Sequence, residues 1–310
     1  MSYSLEDVLY ALQLHVQNLA QEIEQSKILA AQVLIRDLRL RSEPVALSEA
    51  EFKVFSQFGD DGIIQYVINR LNLPQEDRKF VEFGVESYQE SNTRFLLVNN
   101  NWSGLIIDAS EAYMNAVKQG GLYWKYDLTA VSSFITRDNI NSLIKNAGFE
   151  GPIGLLSIDI DGNDYWVWEA ISVVNPAIVV AEYNGIFGAN APVTIPYQEN
   201  FDRKAAHYSH LYWGCSLAAL CHLAAKKGYA WIGCNSAGNN AYFVKKANEH
   251  LFRSCSLPLD FVAAKFREGR DENGQLNYLD QKTGFNLVKH LPVWDVAKNA
   301  EYTLFESALN

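Results

Sequence analysis

The sequence predicts an α/β chain: a doubly wound, mostly parallel seven-stranded sheet with a C-terminal antiparallel hairpin, preceded by a long N-terminal helix. Three observations predict it. From residue 50 onward short apolar runs alternate with helix-length amphipathic segments, the pattern of strand–helix–strand units. The apolar runs are continuous, as in strands covered on both faces. The last two runs, Tyr229–Cys234 and Ala241–Lys245, are separated only by the turn NSAGNN. That is too short for a parallel crossover, so these two strands must be antiparallel neighbours.

In chain order, residues 4–41 read as one helix. Leu5, Leu9, Leu12, Val16, Leu19 and Ile23 recur in alternating steps of four and three, and the register runs on through Ser26, Ala30 and Val33. This is a heptad seam. It fits either a coiled coil that makes a homo-oligomer or an amphipathic helix lying on its own domain. The later stretch ILAAQVLI is apolar on more than one face and so is expected to touch the body. Pro44, in SEPVALSEAE, marks a linker. The expected units are therefore an N-terminal helix over 1–43, a main domain over 50–248 and an extension over 249–310. Within the main domain, helices are predicted over 61–71, 90–99, 110–119, 137–147, 164–173 and 215–227. Strands are predicted over 79–85, 104–108, 154–160 and 177–183, with a short third strand over 122–126.

Composition narrows the function classes. A chain of 310 residues with 48 % hydrophobic and 20 % charged residues can bury an ordinary core. Its formal net charge of −10 argues against sequence-independent binding of nucleic acid. No apolar run is long enough to span a bilayer. The four cysteines, Cys215, Cys221, Cys234 and Cys255, form no metal-ligand spacing. MSYSLEDV is not a basic leader, and the expectation is a cytoplasmic protein.

In doubly wound sheets a ligand sits at the carboxyl ends of the strands, at the switch point. The first strand ends in KFVEFGVE, with Glu82, Gly84 and Glu86; the second ends in GLIIDAS, with Asp108. A dinucleotide fingerprint needs several glycines so that a pyrophosphate can approach a helix start. Here one glycine stands between two acids, which would repel a phosphate. S-adenosylmethionine (SAM) instead carries an ammonium and a sulfonium, which a carboxylate attracts. Asp108, 26 residues past Glu82, is placed to take both ribose hydroxyls. Ser91, Asn92 and Thr93 could bond the methionyl carboxylate from a helix start. Ser110 and Asp127, each just past a predicted strand, complete the cofactor-binding candidates. The alternative for Glu82 and Asp108 is helix capping.

VEFGVESYQESNT, GLIIDAS, LLSIDIDGNDYWVWEAI and VVAEYN together resemble the FkbM-type SAM-dependent methyltransferases. The resemblance runs from about Ser56 to Lys245. It implies a class I, Rossmann-like methyltransferase fold and O-methylation of a small polar acceptor such as a sugar nucleotide or glycan precursor. It also implies that Gln57, in SQFGDDGII, helps close over the cofactor; the residues themselves show only a helix start with Asp60 and Asp61 in its first turn.

Methyl transfer from a sulfonium needs an acceptor held in line and a group to take its proton. Asp159, Asp161 and Asp164 follow the fourth strand, and Glu182 and Asn184 follow the fifth. The 23 residues from Asp159 to Glu182 put both at one sheet edge. Asp159, Asp161, Glu182 and Asn184 offer oxygen donors suited to Mg²⁺, an arrangement that resembles metal-dependent sugar O-methyltransferases. Tyr183–Asn184 departs from that pattern by lacking a second acid. Asp161–Gly162–Asn163 could also be a plain turn, with Asp164 as cap. Asp159, His207 and His210 are the candidate catalytic groups, the histidines lying in NFDRKAAHYSHLYWG, where a general base near neutrality could sit. Trp213 in that loop is a candidate sugar-stacking platform. Other readings are N-methylation, methylation of a phosphate-type oxygen, and a coiled-coil scaffold with a vestigial site. NAD-dependent chemistry is disfavoured by the missing glycines.

Overall fold

The computed structural model describes residues 4–305; residues 1–3 of the predicted helical segment and 306–310 of the extension lie outside the described residues. Helix α1 (Leu5–Leu40) is continuous and opens with a capping box, Ser4 accepting from the Asp7 N–H while the Asp7 carboxylate accepts from the Ser4 N–H. It is followed by α2 (Asp60–Leu71), β1 (Lys79–Phe83), α3 (Arg94–Asn100), β2 (Ser103–Asp108), α4 (Glu111–Gln119), α5 (Gly121–Lys125) and β3 (Leu128–Ser132). Then come α6 (Ile140–Asn146), β4 (Gly151–Ile158), α7 (Asp164–Ala170), β5 (Val174–Glu182), β6 (Val193–Thr194), α8 (Arg203–Ala206) and α9 (Leu217–Lys226). The chain ends with β7 (Tyr229–Cys234), β8 (Asn240–Lys245), α10 (Gln281–Val288), β9 (Pro292–Asp295) and β10 (Ala300–Thr303).

The main sheet has seven strands in the order β3-β2-β1-β4-β5-β8-β7. All neighbours from β3 to β5 pair parallel; β8 runs antiparallel to both β5 and β7. This is the doubly wound sheet closed by a hairpin that the sequence predicts, and it is the class I methyltransferase topology. The strands are buried on both faces, as their continuous apolar runs require. Val81, Leu105, Leu156, Val179 and Phe243 pack on one side, against Val167 and Trp168 of α7 and Leu220 of α9. Phe80, Ile106, Leu155, Val180 and Tyr242 pack on the other, against Ile63 and Val67 of α2 and Met114 of α4.

The third strand departs from expectation. Residues 122–126 are not a strand: 121–125 form α5, and β3 starts at Leu128. The run LYWKY is apolar, but its core contacts are Leu122, Tyr123 and Tyr126, a helical spacing. The true strand is an edge strand in which only Leu128 and Ala130 are buried, so it lacks the continuous apolar run of its neighbours.

The C-terminal extension makes a second, three-stranded sheet, β10-β9-β6, whose third strand comes from the connection between β5 and α9. Val193, Ile195, Tyr212, Val288, Val293 and Leu304 form its own core. This sheet stands beside the carboxyl end of β5 and brings residues 261–268 across the same edge as β1, β2, β4 and β5. Tyr183 Oη donates to the Val262 carbonyl at 2.5 Å, and Lys265 N–H to the Ala237 carbonyl at 2.8 Å.

Candidate functional site

A cleft of about 980 Å³ opens over the carboxyl ends of β1, β2, β4 and β5, where the strand order reverses between β1 and β4. The structure brings Gln57, Glu82, Gly84, Glu86, Asp108, Ser110, Asp159, Asp161 and Glu182 to it.

The floor is the turn after β1. Gly84 has φ +70°, and a Cβ there would lie 1.7 Å from the Asp159 carbonyl oxygen. Glycine is therefore required twice over, by its left-handed backbone and by the close approach of the β4 end. Glu86 also has positive φ, and its N–H donates to Asp108 Oδ2 at 2.8 Å. The Ser110 N–H donates to Asp108 Oδ1, also at 2.8 Å. Each carboxylate oxygen of Asp108 is thus fixed by one backbone donor, and both retain lone-pair capacity at the cleft. Ser110 Oγ accepts from the Tyr113 N–H as the N-cap of α4.

Ser91 and Asn92 line the cleft, but Ser91, Asn92 and Thr93 direct most of their donors inward; Asn92 Nδ2 bonds Ser157 Oγ at 3.1 Å and has one further N–H. Ser91 Oγ donates to Glu82 Oε2 at 2.6 Å and the Asn92 N–H to Oε1 at 2.8 Å, while the Thr93 hydroxyl and N–H both reach Oε2. The buried Glu82 carboxylate needs those donors itself. The segment that read as a cofactor clamp is the clamp on Glu82, and burial pushes that carboxyl above its usual pKa. Asp127 is a correction too. It precedes β3, at the amino end of the strand and the opposite edge of the sheet, and does not line the cleft; its misplacement follows from the misread third strand.

At the other side of the cleft, Asp159 and Glu182 face each other. Both carboxyls are held well above the usual range, first by burial, then by neighbouring carboxylates: Asp161 and Asp164 for Asp159, and Asp159 itself for Glu182. Glu182 Oε2 is buried and accepts no hydrogen bond. Two carboxyls in this relation hold one proton between them and titrate as a pair.

The oxygen set proposed for Mg²⁺ does not assemble. Asn184 is buried and bonded at every arm: Nδ2 donates to the Leu211 and Trp213 carbonyls at 3.0 and 2.9 Å, and Oδ1 accepts from the Ile186 N–H. Asp161 is paired with Arg203 at 2.6 Å. Only Asp159 and Glu182 remain, and among the described residues no group of three or more His, Cys, Asp or Glu is placed to hold a metal. Asp164 pins the turn before α7, accepting from the Ile160 and Gly162 N–H groups; burial nonetheless lifts its pKa to about 6.

The histidines are displaced from the site. His207 Nδ1 bonds Ser209, its ring packs on Tyr208 and His290, and it does not line the cleft. His210 lines only an adjoining hollow. Burial lowers the pKa of both, assisted by His290 for His207 and by Arg203 for His210. Trp213 is buried under the Arg203 guanidinium, 4.8 Å from its ring centroid, and has no open face for a sugar.

Several cleft residues carried no sequence signal. Arg203 bridges Asp161 and Glu268 and donates to the His210 carbonyl at 2.7 Å. Phe266 stacks on Phe58, ring centroids 5.6 Å apart, closing the rim between the N-terminal loop and the C-terminal extension. Asn239 and Asn240 reach the cleft from the hairpin turn, which is fixed from below by Asp60 accepting from Asn235 and Asn240 at 3.0 Å. Asp61 holds the loop before α2, taking the N–H groups of Val54, Phe55 and Ser56 at 2.7–2.8 Å. A local pattern marks Asp60 and Asp61 only as a helix start; their partners are far away in sequence.

Eight carboxyl groups and one guanidinium line the cleft, and that guanidinium is already paired twice. Such a lining disfavours a pyrophosphate and favours a ligand with positive charge. No family model and no curated protein matches the chain significantly. Among solved structures it is similar to the N-terminal domain of EvdMO1 with SAH bound, at 10 % identity over 73 % of this chain and 94 % of that one, TM-score 0.40. An O-methyltransferase from Bacillus cereus in complex with SAH matches at 12 % identity over 71 % and 91 %, TM-score 0.35. A S-adenosylmethionine-dependent methyltransferase from Clostridium acetobutylicum matches at 9 % identity over 60 % and 90 %, TM-score 0.38. What the strand order itself establishes is the class I methyltransferase fold.

Proposed function

We propose that the protein is a SAM-dependent methyltransferase of the FkbM type that methylates a hydroxyl of a small polar acceptor, a sugar or glycan precursor, and that it works as a homo-oligomer joined through α1. The observation that carries the cofactor reading is Asp108: a carboxylate at the end of β2, fixed by the Glu86 and Ser110 N–H groups and open to a strongly acidic cleft. Its free lone pairs suit a ribose diol. Tyr113, Phe134 and Ile135 line the adjoining wall and would pack an adenine. Glu86 would attract the ammonium. The bound cofactor supplies an already activated methyl group. The chain's own work is to hold the acceptor and take its proton, and the Asp159–Glu182 pair stands where an acceptor would lie once the β1–β2 side is filled. A cleft of this volume accommodates a cofactor and a small acceptor together. The FkbM assignment and the hydroxyl acceptor draw their support from the motifs IDIDGNDYW and VVAEYN, and among the described residues no group of three or more His, Cys, Asp or Glu is placed to hold a metal.

Isothermal titration tests the cofactor. SAM is expected to bind saturably and NAD to give no heat. Asp108→Asn, which keeps one acceptor oxygen and loses the charge, is expected to weaken SAM by about 1.5 kcal/mol or more, roughly tenfold in Kd. A wild-type chain that ignores SAM would remove the proposal; unchanged affinity in the variant would remove Asp108 from it.

A further inference from the structure

Helix α1 has two faces with different fates. From residue 4 to 40, only Glu24, Ile28, Ala31, Ile35 and Leu38 lose substantial exposure. They are spaced by four and three and mark the stripe that lies on the body: Glu24 pairs with Arg94 at 3.1 Å, and Ala31 and Ile35 pack with Val54, Phe55 and Phe95. The heptad seam is a different stripe. With Leu9, Val16 and Ile23 at a and Leu5, Leu12 and Leu19 at d, the body-facing residues fall at b and f, on the side of the helix away from the seam. The helix therefore lies on its own domain through its outer face and leaves the a/d seam bare. All six seam residues are at least 47 % exposed. Every residue from Ser4 to Ile23 is exposed, a stretch of roughly 30 Å at 1.5 Å per residue that overhangs the body.

From this we infer that the occupant of the seam is a second copy of this chain, in a parallel, in-register, two-stranded coiled coil over Leu5–Ile23. The inference rests on the homo-oligomer reading and adds its number, direction and register. Three features select that geometry. β-Branched Val16 and Ile23 at a with leucines at d favour two parallel strands over three or four. In a parallel pair Glu22 at g of one chain faces Lys27 at e of the other, twice by symmetry. Because each body sits on the b/f side of its own helix, two bodies fall on opposite outer sides of the coil and do not collide. The seam weakens beyond Ile23, where Ser26, Ala30 and Asp37 interrupt Val33 and Leu40, so the core of the pairing lies in the overhanging half and ends at the Glu22–Lys27 pair.

Light scattering behind size exclusion, run as a concentration series on the full chain, is expected to give twice the chain mass. Leu12→Glu with Leu19→Glu should halve that mass while thermal unfolding of the body is unchanged, since neither residue touches it. Leu12→Cys should cross-link to a dimer under mild oxidation where wild type does not, because identical d positions meet only in a parallel in-register pair. A dimer that this variant cannot cross-link overturns the direction, and a trimer or tetramer overturns the number. A wild-type monomer overturns both this inference and the homo-oligomer reading; if that monomer co-sediments with anionic vesicles, the seam belongs to a lipid surface instead. SAM binding, read separately, decides the methyltransferase reading without touching any of these outcomes.

Discussion

At the residue scale, the Asp159–Glu182 pair is the proposed acceptor of the substrate proton. Neither carboxyl is unusual in sequence; burial holds both pKa values up, with Asp161 and Asp164 adding to it for Asp159 and Asp159 adding to it for Glu182. While the pair keeps its proton it cannot readily take another from an acceptor. Turnover is therefore expected to rise with pH through an apparent pKa above the ordinary carboxylate range. Glu182→Gln leaves a single titrating carboxyl in place of the coupled pair, so the pH–rate profile should change. Turnover itself should fall by about 10²-fold, the scale of one positioned base, with SAM affinity kept. A pH–rate profile that does not move would take Glu182 out of proton transfer. The sequence makes the acids after the fourth and fifth strands conspicuous. It gives no means of telling Asp159 and Glu182, which face each other in the cleft, from Asp161, which lines the cleft paired with Arg203, or from Asn184, whose amide is spent on local backbone.

At the element scale, the turn after β1 and the end of β4 are built against each other. Gly84 is the contact point. Gly84→Ala would set a methyl group into the Asp159 carbonyl and force a non-glycine residue into left-handed backbone. Each effect costs on the order of 1–3 kcal/mol. Denaturant unfolding of this variant should show a loss of about 2–4 kcal/mol; a loss below about 0.5 kcal/mol would mean that the strand ends separate easily and that the cleft floor is not rigid. The glycine was legible as a turn residue, but its tight approach to Asp159 was not, since 75 residues separate the two. The third strand was missed for a similar reason. An edge strand buries one face only, so its apolar content falls below that of the helical run just before it.

At the scale of the whole molecule, the carboxyls gathered at one sheet edge make stability depend on pH. Glu82, Asp159, Asp164 and Glu182 all have folded pKa values raised above those of the unfolded chain, with burial the leading cause. Between the two values the folded chain holds protons that the unfolded chain has released. Their stabilisation is complete below about pH 4 and is lost as pH rises through the folded values. For Asp164, raised to about 6, this window runs from about pH 4 to 6 and is worth up to ~3 kcal/mol. Urea midpoints of the ligand-free protein should show that decline, and Asp164→Asn should flatten this part of it; an unaltered slope would assign it to other groups. Sequence by itself determined the strand–helix alternation, the parallel sheet with its closing hairpin, the long helix and its seam, because these follow from periodicity and from short-range limits on how a chain can turn. Only the tertiary structure decided which polar groups remain free for a ligand. Most buried donors and acceptors find a partner, and the partners of Glu82, Asn184 and Asp60 are fixed by packing. The same is true of α1: its seam was written in the sequence, but which stripe faces the body depended on where the loop before α2 came to lie.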